Sequence, residues 1–200
     1  MSSPQRRPRT ARGSGAVREE ILDAAYTLLS ETGSVDRISL RSIAREVGVT
    51  PMALYRYFDD LTSIVIAVKL RHYEEFLTTL DDAVARADTA DRSPLYALAN
   101  AYLQFGIDRP GAYQILFSTR VDEPSVTDGR KIVGRRAREA FLETVADYLK
   151  VQPGDELAWT KTVQLWTALH GITHLRATCP SIDWPDPAEQ ITTAVDQLFP

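Results

Sequence analysis

Within the stretch Ile38 to Phe58, ISLRSIAREVGVTPMALYRYF, two helix starts and one helix stop stand so close together that the chain must turn sharply between two short helices. Leu40, Ile43, Ala44 and Val47 recur at helical spacing, and Ser39 precedes them where a side-chain oxygen can accept the free amides of a helix start. Gly48 follows the last apolar position, where helices end on a residue at positive φ that glycine adopts without a Cβ clash, and Val49 can fold back as a hydrophobic closure. Thr50 then offers a second N-cap. Pro51 fits the first helical position, where its missing N–H is no loss.

Two helices joined in this way cross steeply, with the small Ala44 permitting close approach and Leu54 and Phe58 locking the pair. An ordinary pair of core helices would satisfy the same pattern, so the exposed face has to be weighed. It carries Thr50, Pro51, Met52, Ala53, Tyr55, Arg56 and Tyr57: one cation, two phenols, small groups and no acid. Such a face suits base edges and phosphates in a DNA major groove, and Arg41 and Arg45 on the preceding helix are placed to reach phosphates, Arg41 foremost.

The run from Val17 to Val68 resembles the N-terminal DNA-binding domain of the TetR family of transcriptional regulators, and its LYRYF segment matches the family's LYxxF signature at the end of the recognition helix. One position departs. Where the family carries a phosphate-holding lysine shortly after that phenylalanine, this chain reads Asp59, Asp60, Leu61, which puts that phosphate contact in doubt.

A net charge of −4 argues against a nucleic-acid binder only until it is divided. Residues 1–58 sum to +3 and the remainder to −7, the asymmetry expected when one end alone meets phosphates. Residues 1–15 form the first segment, a basic arm with Arg6, Arg7, Arg9 and Arg12 and no acid, expected to be disordered. It suits the minor groove beside the helix-turn-helix, and equally a solvated tail. The longest apolar run, Ile64 to Val68, is far too short for a membrane span, and the single Cys179 excludes an internal disulfide framework. The expected compartment is the cytoplasm.

The expected fold is all-α. A helix-turn-helix domain of three helices occupies residues 16–60, its first helix running from Ala16 to Thr32 and ending at Gly33. A larger helical domain, expected to bind a ligand and to dimerise, occupies residues 61–200. It opens with an unbroken helix from Leu61 to about Ala87 that links the two domains mechanically. Further helices are expected from a Ser93 cap and Pro94, after a turn at Pro110 and Gly111, from Arg130 to Val151 after a loop over 121–129, from Asp155 to Thr178, and from Ala188 to Phe199.

Tyr73, Phe76, Tyr102, Phe105, Tyr113, Phe117, Phe141, Trp159 and Trp166 lie on helices that must converge, and ring packing leaves gaps that a flat or greasy ligand can fill. The candidate ligand-binding residues are Tyr102, Phe105, Tyr113, Phe117 and Trp166, with His72 and His170 as polar handles; taken singly, each is better read as filling a plain core. His170 and His174, four apart, share a helix face as metal ligands would, but no third ligand stands near, so packing is the favoured reading and neither a metal nor another cofactor is expected.

Trp166, His170 and Gly171 resemble the Trp-His-Gly (WHG) branch of the same family. The resemblance implies a homodimer through the last two helices, with Ala168 and Gly171 allowing close packing, and a two-fold pair also suits a palindromic operator in double-stranded DNA. It implies further a repressor released from that operator by a small hydrophobic or aromatic effector. The competing class is a helical-bundle enzyme or metal-binding protein whose helix-turn-helix is only structural. It lacks support, because the sequence contains no nucleophile motif, glycine-rich phosphate loop or metal spacing.

Overall fold

The structure is a computed structural model that describes residues 14–89, 93–118 and 127–200. The arm of residues 1–13, with its four arginines, lies outside the described residues. Helices follow one another as α1 (Ser14–Thr32), a single 3-10 turn (Val35–Arg37), α2 (Leu40–Val47), α3 (Pro51–Leu54), α4 (Leu61–Thr89), α5 (Pro94–Asp108), α6 (Pro110–Ser118), α7 (Thr127–Leu149), α8 (Glu156–Thr178) and α9 (Pro187–Leu198). Among the described residues there is no strand.

The local signals around the turn act as their chemistry dictates. Ser39 Oγ accepts the Ser42 amide at 3.1 Å while Ser42 Oγ accepts the Ser39 amide at 2.9 Å, a reciprocal capping box contributing about 1 kcal/mol. Gly48 takes φ 74°, and the Val49 amide reaches back to the Ala44 carbonyl at 2.9 Å, closing α2. Thr50 differs from expectation. Its backbone is extended as a cap should be, but its side chain makes no cap bond, and the same holds for Ser93 before α5. In both cases proline at N1 fixes φ and removes one orphan donor, so the helix starts without the hydroxyl.

The helix after the turn is also shorter than the sequence implies. One α turn, Pro51–Leu54, gives way to a tightened one in which Arg56 and Tyr57 bond three residues back, to Ala53 and Leu54. That tightening brings Phe58 into the core, where the Arg18 guanidinium covers its ring at 4.8 Å.

Two hydrophobic cores share α4. Its first half gives Ile64, Val65 and Val68 to a core with Ile21, Ala25 and Leu29 of α1, Ile43 and Ala44 of α2, Leu54 and Phe58; its second half gives Phe76 and Leu80 to a core with α5 to α9. At 29 residues α4 is about 44 Å long, enough to span both. One outside element crosses over: Ile115 of α6 is buried in the first core. Gly111 explains how. A Cβ there would lie 1.7 Å from the Ser30 carbonyl oxygen of α1, so only glycine lets α6 come this close. The helix starts at Pro110 itself, with Arg109 closing α5 and opening α6, in place of the turn expected at Pro110 and Gly111. Similarly α4 runs past Ala87 to Thr89 and α7 begins at Thr127, so the expected loop over 121–129 shrinks to residues that lie outside the described ones.

A polar joint stands where the two cores meet. Arg71 of α4 pairs with Glu19 at 2.8 Å and Asp23 at 2.5 Å on α1; Glu75 accepts from Tyr26 of α1 at 2.6 Å and from Arg109 at 2.8 Å. Beneath them His72 is fully buried against the Tyr26 ring, centroids 4.4 Å apart.

Candidate nucleic-acid interface and interior cavity

The residues expected to read DNA fall on one end of the first core. Thr50, Pro51, Met52, Tyr55, Arg56 and Arg41 are exposed, Met52 at 74 % and Tyr55 at 52 %, high values for large apolar and aromatic side chains. Ala53 is half-buried. Tyr57 is also half-buried and packs against the first core, so its phenol contributes more to packing than the sequence implies. Among the described residues Arg41, Arg45 and Arg56 make no ion pair with an acid, leaving three guanidinium groups available to phosphates.

At the start of α4 the departure noted in the sequence takes a definite form. Asp60 Oδ1 accepts the Ser63 amide at 2.7 Å, and Ser63 Oγ accepts the Asp60 amide at 3.3 Å. A carboxylate therefore already caps this N-terminus, where the family pattern places a lysine and a phosphate. Leu61 is half-buried and packs on the first core.

In the second core a cavity of about 80 Å³ opens between α4, α6, α7 and α8. By comparison a single water needs roughly 10–15 Å³. Of the seven expected ligand residues, Phe117 and Trp166 line it. Tyr102 stands just behind the wall, its ring 5.3 Å from Phe76, 5.9 Å from Phe141 and 6.1 Å from Phe117, and Phe105 packs on Phe76 at 5.1 Å. Tyr113 and His170 form a polar pair deeper in. His170 Nδ1 and Tyr113 Oη share a hydrogen bond of 2.7 Å, with Tyr102 Oη 3.3 Å from the same nitrogen. Burial pushes the Tyr113 hydroxyl up to about 12 and Tyr102 upward as well, and burial, with His174 beside it, holds His170 below its ordinary value. His72 is elsewhere. It belongs to the joint against α1, one helical turn before Phe76, and does not line the cavity.

Sequence reasoning missed Ala137, Arg138, Thr162 and Val163, which complete the lining. The signal was present in part: Ala137, Arg138 and Phe141 share a face of α7, as do Trp159, Val163 and Trp166 on α8. Trp159 and Trp166, read from sequence as interior, are 45 % and 46 % exposed and form the rim. His170 and His174 stack at 5.8 Å, and among the described residues no three of His, Cys, Asp and Glu gather as metal ligands. No described helix is long and apolar enough to cross a membrane.

Known proteins share this architecture. Residues 21–68 match the family model "Bacterial regulatory proteins, tetR family", and residues 95–198, more than half the chain, match "Tetracyclin repressor-like, C-terminal domain". A similar protein is the HTH-type transcriptional regulator Rv0681 of Mycobacterium tuberculosis strain H37Rv, 27% identical over 84% of this chain and 73% of its own length. Among solved structures, a protein of unknown function from Rhodococcus sp. RHA1 superposes with a TM-score of 0.78 at 26% identity, covering 96% of this chain and 97% of the other. The fold is shared too by the Bacillus subtilis regulator FadR, solved with stearoyl-CoA, at a TM-score of 0.68 and 11% identity over 90% and 96% of the two chains. The exposed helix-turn-helix at one end, the helical domain at the other and the match of both halves lead to one conclusion: this chain belongs to the TetR family of DNA-binding transcriptional regulators.

Proposed function

We propose that the chain is a homodimeric repressor that holds a palindromic operator and leaves it when a small, largely apolar effector enters the cavity between α4, α6, α7 and α8. The observation that carries the DNA half is the exposed, acid-free surface from Thr50 to Arg56 with Arg41 and Arg45 of α2, whose three guanidinium groups make no ion pair among the described residues. Met52, Tyr55 and Arg56 are assigned to base edges and neighbouring phosphates, Arg41 to phosphate, and Thr50, Pro51, Ala53 and Tyr57 to close backbone approach and support. We keep the domain division at residue 60, just before α4, although α4 gives its first half to the first core and its second half to the other.

A two-fold pair is supported by α8. At 100° per residue, Leu157, Gln164, Ala168, Gly171 and Leu175 fall on one stripe turned away from the core. Leu157 and Leu175 are 48 % and 49 % exposed, and a Cβ on Gly171 would meet open space. The stripe lies opposite the cavity-lining Trp159 and Trp166. Its small central residues suit close helix packing in a symmetric dimer, and Trp166, His170 and Gly171 support placement in the Trp-His-Gly branch.

Coupling follows from α6. Phe117 at its end faces the cavity, Ile115 is buried in the first core, and Gly111 at its start abuts Ser30 of α1. A ligand that displaces Phe117 therefore pushes on the DNA-binding domain through a helix with no slack at its far end, while the Tyr26–Glu75–Arg109 joint transmits the same motion to α1. The reading assigns the chain no catalytic role.

The test is salt-dependent binding of the purified protein to duplexes from its own upstream region against an unrelated duplex of equal length. Preferential binding with a steep salt slope is expected; equal and weak binding to all duplexes would refute the reading.

A further inference from the structure

Arg138 has no partner where its neighbours do. On α7, Arg135 pairs with Glu139 at 3.5 Å, and Arg136 holds both oxygens of Glu74 at 3.0 and 2.9 Å. Arg138, which lines the cavity, makes no ion pair or hydrogen bond among the described residues. Among the described residues it is the one charged side chain in a lining otherwise made of Tyr73, five further aromatic rings, alanine, valine and threonine. Arg138 is exposed at the cavity's edge, where its guanidinium keeps water until a planar anion that accepts two of its N–H groups at once replaces it beside the aromatic wall.

The second observation comes from α8. Thr167 and Thr178 donate their hydroxyls to the carbonyls of Val163 and His174, one turn back, at 2.8 Å each. Thr162 does not. Its side chain is 2 % exposed, it lines the same cavity, and its Oγ1 has no hydrogen-bond partner. A buried hydroxyl without a partner is costly and rare, and at a cavity wall its natural complement is a ligand acceptor atom.

We propose that the cavity takes an anionic amphiphile, a compact aromatic or alkyl body carrying a carboxylate that pairs with Arg138, with an acceptor oxygen meeting the hydroxyl of Thr162. The aromatic walls of Phe76, Phe117, Phe141 and Trp166 hold the body. Arg138 selects the charge, because a neutral ligand of the same shape leaves the guanidinium with water alone. This rests on the effector reading above and deepens it by naming the ligand's chemistry.

Trp159 and Trp166 line the cavity and so report occupancy directly, whereas Trp184 donates to the Cys179 carbonyl outside it. The experiment titrates the full chain with benzoate, octanoate, benzamide, octanamide and toluene, following tryptophan fluorescence and calorimetric heat. Each carboxylate is expected to bind at least tenfold more tightly than its amide. In Arg138→Gln that ratio falls to about one while amide affinity holds, and in Thr162→Val carboxylate and amide weaken together while toluene is unaffected. Equal affinity for carboxylate and amide in the wild type, an undiminished ratio in Arg138→Gln, or binding of toluene alone would overturn the proposal and leave a neutral-effector pocket standing. Failure of all five probes to bind would overturn the effector reading along with it.

Discussion

His72 ties the stability of this protein to pH in a way that can be worked through. Its ring is fully buried between Tyr26 and the start of the second core, both ring nitrogens lack hydrogen-bond partners, and Glu75 Oε2 is 3.9 Å from Nδ1. Burial lowers its pKa to about 4; the Glu75 carboxylate offsets this in part, and Arg109 and Arg71 add to it. Because the folded value lies below the ordinary one of about 6.5, the unfolded chain binds the proton more readily. The associated stability is therefore complete above pH 6.5 and lost as pH falls toward 4. Each tenfold difference in proton affinity between the folded and unfolded chain corresponds to about 1.4 kcal/mol. Weighted by the fraction protonated in each state, the loss between pH 7 and pH 5 amounts to about 2 kcal/mol. In His72→Phe the ring volume is kept and the ionisation removed. Urea unfolding of both proteins at pH 7, 6 and 5, at one protein concentration, should show the variant gaining about 2 kcal/mol on the wild type across that range. Parallel curves would refute the reasoning, because His170, whose pKa is also lowered, and every carboxylate are common to both proteins.

Arg56→Ala and Tyr55→Ala should each weaken operator binding by about 1–3 kcal/mol while sedimentation still reports the wild-type oligomer; unchanged affinity in a gel-shift titration would remove that residue from the interface. Gly111→Ala should destabilise by about 3 kcal/mol in denaturant unfolding, since its Cβ must displace the Ser30 carbonyl from 1.7 Å, and its surviving fold should show weakened operator binding; a loss under about 0.5 kcal/mol would mean α1 and α6 are not held in contact. Leu175→Asp, on the exposed stripe of α8, should shift the protein toward monomer in analytical ultracentrifugation, and an unchanged dimer would move the interface elsewhere. Thr162→Val should raise stability of the unliganded protein by about 1 kcal/mol by removing an unpartnered hydroxyl, and a loss of similar size would show that the hydroxyl has a partner.

Much of the first domain was legible because its determinants are local. The Ser39 cap, the Gly48 stop and the Pro51 start depend on φ/ψ preferences and on hydrogen bonds within four residues, so the sequence alone determines a helix, a tight turn and a second helix start there. Periodicity likewise determined every long helix, and the charge count set a basic N-terminal part apart from an acidic remainder. The extent of α3, the packing role of Tyr57 and the capping of α4 by Asp60 and Ser63 belong to the tertiary structure, since Phe58 enters the core only when the turn before it tightens.

The cavity marks the same boundary. Aromatic content told that rings would meet, but not which ones would leave a gap. His72 and Trp166 are both on apolar-rich helix faces in the sequence, yet one is sealed beneath Tyr26 and the other stands at the rim. Arg138 and Thr162 carry no motif at all, and they come to line one cavity only because α7 and α8 pack side by side. Helices follow from interactions a few residues apart along the chain, whereas a site is a meeting of residues distant in sequence, and only the packing of one helix against another brings them together.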